Sequence, residues 1–299
     1  MSRIDEALRR ANLDAGRGTG AAPAPSPWLF EHDEGRDGLE SVTSSARERL
    51  AEVCTDRPAP GNDRRPTRWG GFDAAAIERL VVAGTAGPLL VEQFRSLAAT
   101  LLQARGEQPL KSVIVTSASP GDGKTHVAVN LALTLSESYR RQVLLVDADL
   151  RRPSLHLLFQ VPNIRGLSEA LEATTIEKLP AVQISETLAL LPGGRAESNP
   201  LGGLSSDRMK RIVEDAAARF DWVIVDSPPV GGLADGRLVS EAVDATILVV
   251  RAGVTRFPDL KSAAEMLGHE RILGIVLNAV DPAELRGEGY YRHYYGERA

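Results

Sequence analysis

The residues in this 299-residue chain with the clearest chemistry are eight in a row, Ala118-Ser119-Pro120-Gly121-Asp122-Gly123-Lys124-Thr125. An apolar run, Ser112–Ser117, precedes them and a helical stretch follows. That context fits a phosphate-binding loop with Ala118 at the first glycine position. Gly121 and Gly123 let the backbone curl, so that its N–H groups converge on phosphate oxygens. The helix starting near Gly123 adds the positive end of its dipole. Lys124 reaches the β- and γ-phosphates, and the Thr125 hydroxyl can ligate Mg²⁺. Lys124 is one of five lysines among 35 basic residues, so its place is not filler. Ser119, Asp122 and His126 complete the stretch of nucleotide-contact candidates, with core packing as the competing role of His126. A dinucleotide fingerprint is excluded, because His126 stands at its third glycine. The bland alternative is a Gly-rich turn that happens to contain Lys-Thr.

Two later segments carry carboxylates at strand ends. Leu144-Leu145-Val146-Asp147-Ala148-Asp149 places two aspartates on one side of an extended chain. Like charges side by side are costly without a cation near them. Val223-Ile224-Val225-Asp226 ends a further strand, and Pro228 and Pro229 stop its ladder. An aspartate after a hydrophobic strand, together with a phosphate loop, is the set that holds Mg²⁺ beside a nucleotide. Thr125, Asp147 and Asp226 are therefore the metal candidates, and Lys124, Asp147 and Asp149 the catalytic ones. The competing role for each aspartate is to cap the helix that follows.

Positioning these residues takes a regular frame. Strand candidates are Ser112–Ser117, Val143–Asp147, Leu188–Leu191, Trp222–Asp226, Thr246–Val250 and Ile272–Asn278. They are almost continuously apolar, as strands buried on both faces must be. Helical stretches near 88–104, 124–138, 205–219, 233–242 and 258–268 alternate with them. The expectation is an α/β fold, a doubly wound and mostly parallel sheet of the P-loop NTPase type with helices on both faces. Such sheets bind ligands at the carboxyl ends of their strands.

Composition bounds the rest. Net charge is −5, which argues against nucleic acid as the main partner. No apolar run reaches the roughly 20 residues needed to cross a bilayer, and the first residues are too polar for a secretory signal. The single cysteine, Cys54, rules out an internal disulfide framework. These features predict a cytoplasmic protein. Residues 1–75 hold few large apolar residues and six of the 18 prolines, so they read as mostly disordered. Ile4, Leu8 and Ala11 share one helical face, so a short helix over 2–11 competes with a fraying turn. The expected globular, nucleotide-binding unit covers 76–285, and 286–299 reads as a flexible tail. That tail is unusual. Of five tyrosines, four lie in the last ten residues: Tyr290, Tyr291, Tyr294 and Tyr295. A tyrosine-rich end can stick to a partner, as aromatics do at interfaces, or can serve as a phosphate acceptor.

From about residue 85 onward these motifs, in this order, resemble the bacterial tyrosine kinases of exopolysaccharide and capsule export. The opening Ser-Arg-Ile-Asp-Glu-Ala-Leu-Arg-Arg is similar to that of the exosortase-linked branch. The resemblance implies ATP and Mg²⁺ as cofactors. It implies that Lys124 and Thr125 hold phosphates and metal, that Asp147 and Asp149 form the metal shell with one taking the tyrosine proton, and that Asp226 holds Mg²⁺ through water. It places Asn278 where related ATPases read adenine. It makes Tyr290, Tyr291, Tyr294 and Tyr295 autophosphorylation sites, modified between copies of a homo-oligomer. It further implies a separate membrane-bound polysaccharide-export protein as activator, recruitment to the inner face of the plasma membrane, and a tyrosine phosphatase. One departure stands out. The family's oligomerisation pattern Glu-x-x-Arg-x-x-Arg is met by Glu92 and Arg95, but Ala98 replaces the second arginine. The competing function is a non-kinase switch ATPase of the partition or division-site type. Those proteins carry a signature lysine where this chain has Ser119, and they have no use for a tyrosine tail. A third reading, a scaffold that binds ATP without using it, fits poorly with a full set of Lys124, Thr125 and three aspartates.

Overall fold

A computed structural model describes residues 29–31, 72–73, 80–81, 87–107, 109–173 and 179–280. The proposed helix over 2–11, Cys54 and the tyrosine tail lie outside the described residues.

Eight strands form one sheet in the order β1-β8-β7-β2-β6-β3-β5-β4 among the described residues. They are β1 (Leu29–Glu31), β2 (Ser112–Ser117), β3 (Val143–Asp147), β4 (Val182–Gln183), β5 (Leu188–Leu191), β6 (Trp222–Asp226), β7 (Ala245–Arg251) and β8 (Ile272–Val280). Every pairing is parallel except that of β4 with β5. The helices are α1 (Pro88–Glu107), α2 (Lys124–Leu133), α3 (Leu155–Leu158), α4 (Leu167–Glu172), α5 (Leu201–Leu204), α6 (Asp207–Arg219), α7 (Asp235–Ser240) and α8 (Phe257–Leu267). α2 runs into a π-helical turn, Thr134–Ser138.

The chain winds outward from β2 in two directions, to β3 and β5 on one side and to β7 and β8 on the other. That is the doubly wound parallel sheet expected from the alternating strands and helices. Alternate residues of each strand feed opposite faces. On one face Val113, Val115, Val143, Leu145 and Ile224 pack with Phe94 and Leu97 of α1 and with Val127 and Leu131 of α2. On the other, Ile114, Leu144, Val146 and Val225 meet Met209, Ile212 and Val213 of α6. α6 shows why it is a helix. Its buried Met209, Ile212, Val213 and Ala216 fall at spacings of three and four, one stripe on an otherwise charged rod. A third apolar group joins Leu248 and Val250 of β7 to Leu260, Ala264 and Leu267 of α8.

β4, α3, α4 and α5 were not foreseen, each being six residues or fewer. β1 was also not foreseen. It pairs with β8 at the outer edge, Leu29 opposite Leu277 and Glu31 opposite Val280. Ala98 lies fully buried on the core side of α1. Glu92 and Arg95 pair with each other on the exposed side at 2.5 Å.

Candidate functional site

The carboxyl ends of β2, β3 and β6 meet at one point, because the strands are parallel and in register. Asp147 sits opposite Asp226 across the β3–β6 ladder, and Val115 of β2 sits opposite Asp226 on its other side. Three strands therefore end together, and the phosphate loop leaves from β2, beside the central β6 that carries Asp226. The loop needs two glycines in left-handed geometry, Gly121 at φ 86° and Gly123 at φ 92°. A side chain at Gly123 would also run into the Asn278 amide. α2 begins directly at Lys124, so its unpaired first-turn N–H groups open toward the loop's interior.

The two aspartates of β3 have different surroundings. Asp147 is fully buried. Its Oδ2 accepts the N–H groups of Ser154 and Leu155 at 2.9 Å each, and its Oδ1 accepts that of Asp149 at 3.2 Å. It thus also caps α3, the structural role weighed above. Burial pushes its carboxyl up to about 6, against the pull of those three N–H groups. Asp149 stays at the rim and reaches Lys124 Nζ at 3.7 Å.

Asp226 is the most isolated group of the site. It is fully buried, and neither carboxylate oxygen has a partner within hydrogen-bond geometry. Burial pushes it up to about 7. The Lys124 charge and the nearby Thr125 hydroxyl pull the other way, and Asp147 and Asp149 add to the rise. A buried carboxylate without donors, beside a lysine and a hydroxyl, is a group built for a ligand. Among the described residues no cluster of three or more His, Cys, Asp or Glu could hold a metal alone. That suits Mg²⁺, which takes one or two protein oxygens and completes its shell with phosphates and water. Thr125 and Asp226 fit that requirement.

The remaining candidates fall into place around this centre. Asp122 points away from the loop's interior and is buried, its Oδ2 accepting the Ser119 N–H at 2.9 Å. Asn278, near the end of β8, donates its amide to the Asp122 carbonyl at 2.9 Å, so it holds the loop from below. His126 packs its ring edge-on to Phe94, 6.0 Å between centroids, and meets the Asn130 amide at 3.2 Å. It behaves as the packing residue that competed with its nucleotide role. Sequence reasoning missed Asp235. This buried residue on α7 takes Arg151 Nε at 2.5 Å and Nη2 at 3.1 Å, while Nη1 reaches the Ser198 carbonyl. Arg151 thereby ties the loop after β3 to α7. Its Asp-x-Asp-x-Arg spacing was a signal; the partner 84 residues away was not.

A phosphate loop between strand and helix, with an aspartate at the end of the adjoining strand, defines a P-loop NTPase. The ParA family model, described as NUBPL iron-transfer P-loop NTPase, matches residues 109–281. The tyrosine-protein kinase YwqD of Bacillus subtilis is 33% identical over 219 residues, covering 72% of this chain and 92% of YwqD. The putative tyrosine-protein kinase CapB of Staphylococcus aureus is 27% identical, covering 75% and 97% of the two chains. The solved kinase domain of the Escherichia coli tyrosine kinase ETK superposes with a TM-score of 0.64 at 26% identity, over 87% of this chain and 95% of that domain. The chain belongs to the family of bacterial tyrosine-protein kinases.

Proposed function

We propose that this chain is an ATP-dependent tyrosine autokinase whose acceptors are its own Tyr290, Tyr291, Tyr294 and Tyr295, and that it regulates exopolysaccharide synthesis or export. The observation that carries the reading is the convergence of Lys124, Thr125, Asp149 and the partnerless Asp226 at the ends of three adjacent strands, in a chain that keeps four of five tyrosines in its last ten residues.

The mechanism follows from charge and placement. Phosphoryl transfer needs in-line alignment and neutralisation of the γ-phosphate. Lys124 and the first-turn N–H groups of α2 bind and orient the phosphates. Thr125 and Asp226 would hold Mg²⁺, with Asp147 behind them, and the ion would supply positive charge to offset that of the phosphates. A tyrosine hydroxyl, with a pKa of about 10, needs a proton acceptor at neutral pH. The Asp147–Asp149 pair supplies it. Asp147 is raised toward the working pH, and Asp149 is reachable from outside. Asn278 steadies the loop and stands beside the place of an adenine. The partners this reading requires are a membrane-bound polysaccharide-export protein as activator, further copies of the chain, and a tyrosine phosphatase. Among the described residues no helix is long and apolar enough to cross a membrane, so attachment to the inner membrane face would come through the activator.

The test is mass spectrometry of the C-terminal peptide after incubation with Mg²⁺-ATP, with Lys124→Ala as control. Phosphate on Tyr290–Tyr295 in the wild type alone is the expected result. An unmodified tail with ATP bound, even with the activator's cytoplasmic segment added, would replace this reading with a nucleotide switch of the ParA type.

A further inference from the structure

We propose that Thr255 is a positioning residue for nucleotide binding, acting on the phosphate loop through Asp122. The inference rests on the nucleotide-binding half of the reading above. Thr255 lies four residues beyond the end of β7, far from the loop in sequence, and no motif points to it. Its Oγ1 donates to Asp122 Oδ1 at 2.7 Å, a link between residues 133 apart. The same oxygen accepts the Arg251 N–H at 2.9 Å, which fixes the direction of the hydroxyl. Asp122 Oδ2 meanwhile takes the Ser119 N–H at 2.9 Å. Both carboxylate oxygens are thus used, and Asp122 is 1% exposed. Arg251 Nη1 adds a long contact to the Gly121 carbonyl, 3.4 Å.

These bonds all fall on the outside of the loop. Asp122 bridges its start, Ser119, to the turn after β7. Asn278 grips the next carbonyl from β8. The loop contains two left-handed glycines and has little stiffness of its own. Its N–H groups converge on a phosphate only if something outside holds the curl. Thr255 is the one tie from the β7 turn that ends on the loop's own carboxylate. A charge-assisted hydrogen bond in a buried setting has the strength for this, and preorganising the loop saves its ordering cost at binding.

The test is calorimetric titration of the full chain with Mg²⁺-ADP, paired with melting of the nucleotide-free protein. Thr255→Val keeps the shape and removes the hydroxyl. It should weaken ADP binding about tenfold, the loss of one hydrogen bond to a charged group. The nucleotide-free protein should melt a few degrees lower, because a buried carboxylate oxygen loses its donor. Thr255→Ser should restore affinity. Wild-type affinity in Thr255→Val would overturn the proposal, and so would a serine variant that fails to rescue. Asp122→Ala removes the acceptor of the same link, so the double variant should bind no more weakly than the weaker single one. Additive losses would also overturn it. Because the readout is ADP affinity, a wild-type chain that binds Mg²⁺-ADP but leaves its tyrosines unmodified counts against the kinase reading alone.

Discussion

Asp226 is held in a protein interior that disfavours its charge, and this has a measurable sign. Its carboxyl binds a proton more tightly in the fold, at about 7, than the ordinary 3.8 of an unfolded chain. The folded state therefore gains from this group below pH 4 and loses that gain as pH climbs from 4 through 7. Asp147, raised to about 6, acts in the same direction. Asp226→Asn keeps the shape and removes the charge. We expect the variant to melt higher than wild type at pH 8, to do so by a clearly smaller margin at pH 5, and to lose Mg²⁺-dependent tyrosine phosphorylation by at least about a hundredfold. Melting curves at the two pH values and a phosphorylation time course check this. A variant that melts lower than wild type at pH 8 would show that Asp226 is structural. Much of this site was legible as residues. Lys124, Thr125 and the aspartates announce themselves by motif and by position at strand ends. The outward turn of Asp122, the packing of His126 and the Arg151–Asp235 pair were not legible. They depend on which groups the fold brings together across 32 to 133 residues, and local spacing carries no such information.

At the scale of elements, four strand candidates matched in full and β7 and β8 differed only at their ends, because runs buried on both faces leave an unbroken apolar signature. β4 and the one-turn helices left none, since two to six residues cannot show a period. Two substitutions probe how elements are joined. Ala98→Arg would restore the charge pattern of the family's oligomerisation helix. Here position 98 is fully buried on α1, so the change should cost about 3 kcal/mol or more, read as a lower urea midpoint, rather than promote assembly. Arg151→Ala would leave Asp235 buried and unpaired, read as a lower urea midpoint. Adding Asp235→Ala to it should cost little more, because the stranded charge goes too. Denaturant titration of wild type, both single variants and the double variant gives the answer, and fully additive losses would mean the pair is not a unit.

At the scale of the whole molecule, charge is the lever. The chain carries −5. Four phosphates would add about −6 to −8, all within the last ten residues, whereas the nucleotide site itself gathers three aspartates, Asp147, Asp149 and Asp226. Phosphorylation should therefore push the tail away from acidic sites and loosen any oligomer built on their contact. Light scattering of matched phosphorylated and unphosphorylated samples should show a smaller particle for the former, and an unchanged mass would end the idea.

The direction of β8 sets one more limit. It runs parallel to its neighbours, so Val280 leaves the sheet at the same edge as Asp147 and Asp226. Tyr290 follows ten residues later. Ten extended residues span up to about 35 Å. From β8 to β3 is four strand steps, roughly 19 Å. Tether length alone thus permits a tail to serve its own centre, and only orientation can reserve it for a neighbour's. Dilution separates the two: a self-serving tail keeps its initial velocity per molecule, while a borrowed centre makes that velocity fall with concentration.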